Sequence, residues 1–177
     1  MLQLKIKNFT KNNKILRKYI CKNHGGENIS PEISWNKIHH KSISYALILE
    51  DPDAVIGNFV HWYLPFIDSS INKIDSLEKL KDGKKNSKNS KQKFRIIHGK
   101  NSLGEIGYHG PCAPLNSGTH RYIFTLYALD KKLDFNKSSE NLQIKSSDEF
   151  ENILEKNKIK ILATDKKEFN YSYQDFY

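Results

Sequence analysis

The sequence predicts a mainly β protein with small helices towards its end, on three observations. Leu2-Gln-Leu-Lys-Ile-Lys alternates apolar and polar residues with the period of two that a half-buried strand requires. Residues 43–49 (ISYALIL) and 59–66 (FVHWYLPF) are short apolar runs rich in aromatic and β-branched side chains, which suit a pleated surface. Residues 121–129 (RYIFTLYAL) are apolar at both parities. Both faces of that strand must then be covered, which places it in the middle of a layered structure.

The remaining elements are weaker. Residues 159–163 (IKILA) read as a short strand. Residues 147–156 (SDEFENILEK) read as a helix, because Ser147 is a good N-cap and the acids that follow favour the helix dipole. Phe150, Ile153 and Leu154 then make one apolar face. Residues 74–80 are expected to form a single helical turn. Gly, Pro, Asn and Asp punctuate the rest as loops, and no repeat is visible.

A chain of 177 residues fits one domain, here taken as 1–177. At that length roughly 70% of the unfolded surface is buried on folding, enough for an independent core. No apolar run approaches the ~18 residues of a membrane-spanning helix. The first residues also lack the apolar block of about 7–15 residues that a secretory signal needs. Cys21 and Cys112 make neither a disulfide framework nor a CxxC motif. They read as two thiols in a reducing cytosol, hence a cytoplasmic location, with a single isolated disulfide as the alternative.

The formal net charge of +9 is concentrated rather than spread. Between Lys79 and Arg95 lie eight basic residues, with Asp82 the only acid. The segment GKKNSKNSKQK within it has no aromatic residue, so it lacks the interleaved pattern of a nucleic-acid surface and specific nucleic-acid binding is not expected. It reads as a solvated insertion. The lysines between Lys84 and Lys93 could in addition touch an anionic membrane, at about 1 kcal/mol each. Only Arg17, Arg95 and Arg121 supply the guanidinium fork that reads phosphate bidentately.

Three junctions carry residues with chemistry. Asp51-Pro52-Asp53 follows an apolar run, and a rigid turn there can aim a carboxylate or simply cap itself. His61 lies inside the run that begins at Phe59, where a histidine is more often a hydrogen-bonded core residue than a ligand. Gly107-Tyr108-His109-Gly110-Pro111-Cys112 and then Gly118-Thr119-His120-Arg121-Tyr122 form a Gly/Pro loop entering the strongest strand. Such glycines let backbone N–H groups approach an anion closely.

Taken together, DPD, FVHW, GYxGP and GxHRY, in that order, resemble the phosphatidylethanolamine-binding protein family, which includes Raf kinase inhibitor proteins and compact bacterial-type members. The segment from Cys21 to Trp35 (CKNHGGENISPEISW) is similar to the family's loop before its first core strand, and YIFTLYALD to the strand after the second motif. Val55 stands where the family's first motif usually has a second proline, and the tail EFNYSYQDFY has no counterpart. The resemblance implies a two-sheet antiparallel Greek-key β-sandwich with a few short helices and an anion pocket at one end. By the same resemblance Asp51, His61, His120 and Tyr122 line that pocket, and Asp53, Phe59, Tyr108, Gly110 and Pro111 form its wall and rim.

The expected function is a non-enzymatic binding protein for a phosphate-bearing ligand such as a phospholipid headgroup. By analogy within the family it would regulate a kinase or protease partner, as a monomer or homodimer. The alternative is a hydrolase or metal-dependent enzyme using the Asp/His/His set. No nucleophile sits in an elbow or dyad context, and no cofactor or metal is expected. Two histidines can donate to phosphate from their ring nitrogens, and a nearby carboxylate favours a histidine's charged form, so binding is expected to tighten below about pH 6.5.

Overall fold

A computed structural model describes residues 1–12, 14–36, 41–76, 96–134 and 142–176. The basic segment between Lys79 and Arg95, with its proposed membrane contact, lies outside them. So does most of the turn expected at 74–80, and Ile74 itself stands in a strand.

The elements in order are β1 (Leu4–Lys7), β2 (Thr10–Lys11), β3 (Lys14–Ile15), β4 (Glu32–Trp35), β5 (Ser44–Asp51), β6 (Phe59–Asp68), β7 (Lys73–Ile74), β8 (Ile96–Ile97), β9 (Thr119–Leu129), α1 (Ser147–Lys156) and β10 (Ile161–Ser172). The main sheet runs β10-β9-β5-β6-β8, and a second sheet runs β1-β4-β7. All the pairings in both are antiparallel. β2 and β3 form a separate ribbon. Within the main sheet, β9 returns to lie beside β5, giving the 4-1-2-3 order of a Greek key over β5, β6, β8 and β9.

The two-faced pattern of the central strands has a direct cause. Tyr45, Leu47 and Leu49 of β5, with Phe124 and Leu126 of β9, pack against Leu4, Ile33 and Trp35 of the second sheet. The opposite parity, Ala46, Ile48, Tyr127 and Leu129, packs against Phe150 and Leu154 of α1. Every residue of β5 is therefore buried. Alternation in β1 also holds, with Leu4 buried and Lys5 and Lys7 exposed. The helix begins one residue later than its cap: Ser146, not Ser147, accepts the Glu149 N–H.

The C-terminal tail, which has no motif, forms the long edge strand β10. Its register sets Tyr171 opposite His120 and Phe169 opposite Tyr122.

Candidate functional site

One end of the main sheet gathers the close of β5, the start of β6 and the start of β9. Asp51 ends β5 on the face of Tyr45, Leu47 and Leu49. His120 and Tyr122 are two residues apart on β9 and so share a face, which they also share with Phe124. His61 reaches the same face by a different route. Leu49 pairs with Trp62 while Glu50 pairs with Val60, so His61 is the extra residue of a β-bulge. Its ring meets Tyr122 edge-on at 5.1 Å and Phe59 at 4.6 Å. The four residues expected to line a pocket are thus brought together.

Asp51 does two things at once. Its Oδ1 accepts the Asp53 N–H at 2.9 Å, the self-capping turn, while Oδ2 accepts from His120 Nδ1 at 2.7 Å. Both side chains are almost wholly buried. His120 Nε2 is buried too and has no hydrogen-bond partner among the described residues. A buried polar atom without a partner costs about 1–3 kcal/mol, which an incoming ligand atom can recover.

His61 is different. Its Nδ1 donates to the His109 carbonyl at 2.8 Å, and the His109 N–H donates back to the His61 carbonyl at 2.8 Å. A carbonyl can only accept, so Nδ1 carries the proton and Nε2 of the neutral ring is an acceptor. Burial holds the His61 pKa down to about 3. The expectation that both histidines donate to a ligand is corrected here: His61 is a neutral ring at physiological pH whose one N–H is used by the His109 carbonyl.

Tyr122 keeps its phenolic proton, because burial and then the Asp51 charge raise its pKa far above the ordinary value. Its oxygen accepts the Cys112 N–H at 3.3 Å, and its O–H is directed to the Asp51 carboxylate. Asp53 does not face this cluster. It clamps Arg121 with both carboxylate oxygens, at 2.8 and 2.7 Å, and also accepts the Arg121 backbone N–H at 2.9 Å. The Arg121 guanidinium accordingly pulls the Asp53 pKa down to about 2.

The rim is fastened from below. Tyr108 spends its hydroxyl on the Tyr19 carbonyl at 2.7 Å. Gly110 donates its N–H to Asn28 Oδ1 at 2.6 Å, and the Pro111 carbonyl accepts the Cys21 N–H at 3.0 Å. A Cβ at Gly110 would lie 2.3 Å from the Tyr19 oxygen and 2.8 Å from the Cys21 nitrogen, so only glycine lets the two loops touch. Cys21 and Cys112 are joined as a disulfide across this junction, and no cysteine is free. The reading of two thiols is corrected, and the cytoplasmic location loses the ground it rested on, since disulfides persist in oxidising compartments.

Sequence reasoning missed His109, Asn28, Tyr171 and His24. His109 was visible beside Tyr108 in the Gly/Pro loop. Nothing in the sequence marks Asn28, which reaches Gly110 from 82 residues away.

A family model described as phosphatidylethanolamine-binding protein matches residues 5–172. A UPF0098 protein of Methanothermobacter thermautotrophicus is 36% identical over 137 residues, 75% of this chain and 80% of that one. Among solved structures, the PEBP homologue CT736 of Chlamydia trachomatis aligns with a TM-score of 0.69 and 25% identity over 97% of both chains. Escherichia coli YbcL aligns with a TM-score of 0.72 over 97% of this chain and 98% of its own, at 21% identity. The fold and site define a Greek-key sandwich with a buried Asp–His pair at one end. The chain belongs to the phosphatidylethanolamine-binding protein family. No helix among the described residues is long and apolar enough to cross a membrane.

Proposed function

We propose that the chain is a non-enzymatic binding protein for a phosphate-bearing ligand, with a phospholipid headgroup as the ligand class. The observation that carries this reading is the buried, unpartnered His120 Nε2 on a ring whose Nδ1 is held by Asp51. With the ring protonated, Asp51 balances its charge and Nε2–H donates to a phosphate oxygen, a charge-assisted bond of roughly 1.5–3 kcal/mol. His61, as a neutral acceptor, suits a protonated group on the ligand such as a headgroup amine or a P–OH.

Asp51, which alone would repel a phosphate, is on this reading the counter-ion of His120. Lipid is favoured over free phosphate by Val55, Ile56 and Leu115. They are exposed at the tips of the loops that follow Asp51 and precede His120, an apolar fringe suited to a membrane surface.

Calorimetry with inorganic phosphate, phosphorylethanolamine and vesicles containing phosphatidylethanolamine tests this. Binding of the last two that is lost in His120→Ala is expected. Equal affinity for inorganic phosphate would reassign the ligand to free phosphate, and no binding of any of the three would contradict the proposal. The same Asp–His pair could instead act as a general base through Nε2. Turnover of a phosphodiester abolished by Asp51→Asn would favour that enzymatic reading.

A further inference from the structure

We propose that Cys21, His24 and Cys112 form a second site, a thiophilic-metal site for Zn2+ that is closed by the disulfide and opened by its reduction. One ligand atom from each of the three residues lies within 4.8 Å of the other two. Two thiolates and a neutral imidazole are the soft donor set that zinc takes, and their two negative charges balance the ion. A three-ligand set leaves the fourth tetrahedral position for water.

The geometry survives without the S–S bond because the two loops are fastened independently of it. The Cys21 N–H is held by the Pro111 carbonyl, Gly110 by Asn28, Tyr108 by the Tyr19 carbonyl, and the Cys112 N–H by Tyr122. Cys21 and His24 are set by a short 3-10 turn, Lys22–His24, in which the His24 N–H returns to the Cys21 carbonyl at 3.2 Å. Reduction therefore leaves both sulfurs beside His24, needing only to part far enough to admit an ion.

The histidine is also positioned from outside. Its Nδ1 is hydrogen-bonded to the Tyr171 hydroxyl at 2.8 Å, and its ring packs edge-on against Tyr173 at 4.6 Å. The hydroxyl can accept as well as donate, so when Nδ1–H donates to it the bond orients the ring and leaves Nε2 for the ion. Both tyrosines come from the tail, which gives that segment a role the family motifs do not supply.

The chemistry balances with a dithiol as reductant. The Cys21–Cys112 bond breaks as two electrons and two protons pass to its sulfurs, and the dithiol becomes a disulfide. Zn2+ then binds the two sulfurs as thiolates and releases their two protons to solvent.

The test uses the full chain, reduced and freed of reductant under anaerobic conditions, and titrated with Co2+ as a spectroscopic stand-in and then with Zn2+. One equivalent of Co2+ should give thiolate-to-cobalt charge transfer and tetrahedral d–d bands, displaced by Zn2+. The oxidised protein should give neither. His24→Ala, checked for folding by its intact disulfide and circular dichroism, should bind roughly tenfold or more weakly. The proposal fails if no thiol is released on reduction of the folded chain. It fails equally if no thiolate–cobalt band appears, or if His24→Ala binds as tightly as the parent.

Discussion

Two buried histidines on strands either side of β5 show how burial and partners together decide what a side chain can do. His120 meets a carboxylate, and its outer nitrogen has no partner. His61 donates to a backbone carbonyl, which favours its charged form, yet burial outweighs that and holds the ring neutral with a pKa of about 3. Both sit against Tyr122 or its strand on the same face of the sheet. On the proposed reading, one wall presents the Asp51–His120 pair to an anion and the other presents a neutral ring. A ligand with a phosphate and a protonated group on the same small headgroup matches that division.

The largest expected effect lies on the neutral wall. A histidine whose pKa is lowered on folding binds fewer protons in the folded than in the unfolded state. Its stabilising contribution is thus complete above about pH 6.5 and is lost as pH falls towards 3. At about 1.36 kcal/mol per unit this reaches on the order of 5 kcal/mol over the full window. Chemical denaturation as a function of pH should show the parent losing stability across this range more steeply than His61→Gln. Equal slopes would mean that His61 titrates freely in the folded protein.

Next comes the charged wall. His120→Ala and Asp51→Asn should each weaken phosphorylethanolamine binding by roughly 10- to 100-fold, the worth of one charge-assisted hydrogen bond. His61→Gln should cost less, because it removes no cation. A larger loss in His61→Gln than in His120→Ala would invert the assignment. Gly110→Ala probes the floor shared by both walls. Its Cβ would strike backbone atoms, so a loss of about 1–3 kcal/mol in stability is expected by thermal melting. The smallest effect should come from Asp53→Asn, since that clamp on Arg121 is largely exposed. Faster amide exchange over residues 52–58, with little change in melting temperature, is the expected result.

Much of this was legible in the sequence, and the reasons it stopped are physical. The two-faced run of β9 announced a strand covered on both sides, and the family resemblance grouped Asp51, His61, His120 and Tyr122. The role of His61 was not legible, because it depends on a bulge in the pairing with β5 that no Gly or Pro marks. The Cys21–Cys112 bond joins residues 91 apart through a loop contact that exists only in three dimensions. Only the start of β10 was read, as the short strand at 159–163; the rest was hidden by its edge position, where polar residues such as Lys166 and Lys167 break up a strand-like run. The partial burial of Ala163, Asp165, Phe169 and Tyr171 shows the alternation that could have revealed it.

The most direct test is an NMR titration of the histidine ring nitrogens with phosphorylethanolamine at about pH 6 and about pH 7.5, either side of the ordinary histidine value. His120 Nε2 should move saturably at both, because it is the buried ring nitrogen left without a partner among the described residues. His61 should keep its Nδ1–H tautomer and remain neutral at both. A His61 ring that becomes protonated on binding, or a His120 ring that does not respond, would contradict the division of labour between the two walls.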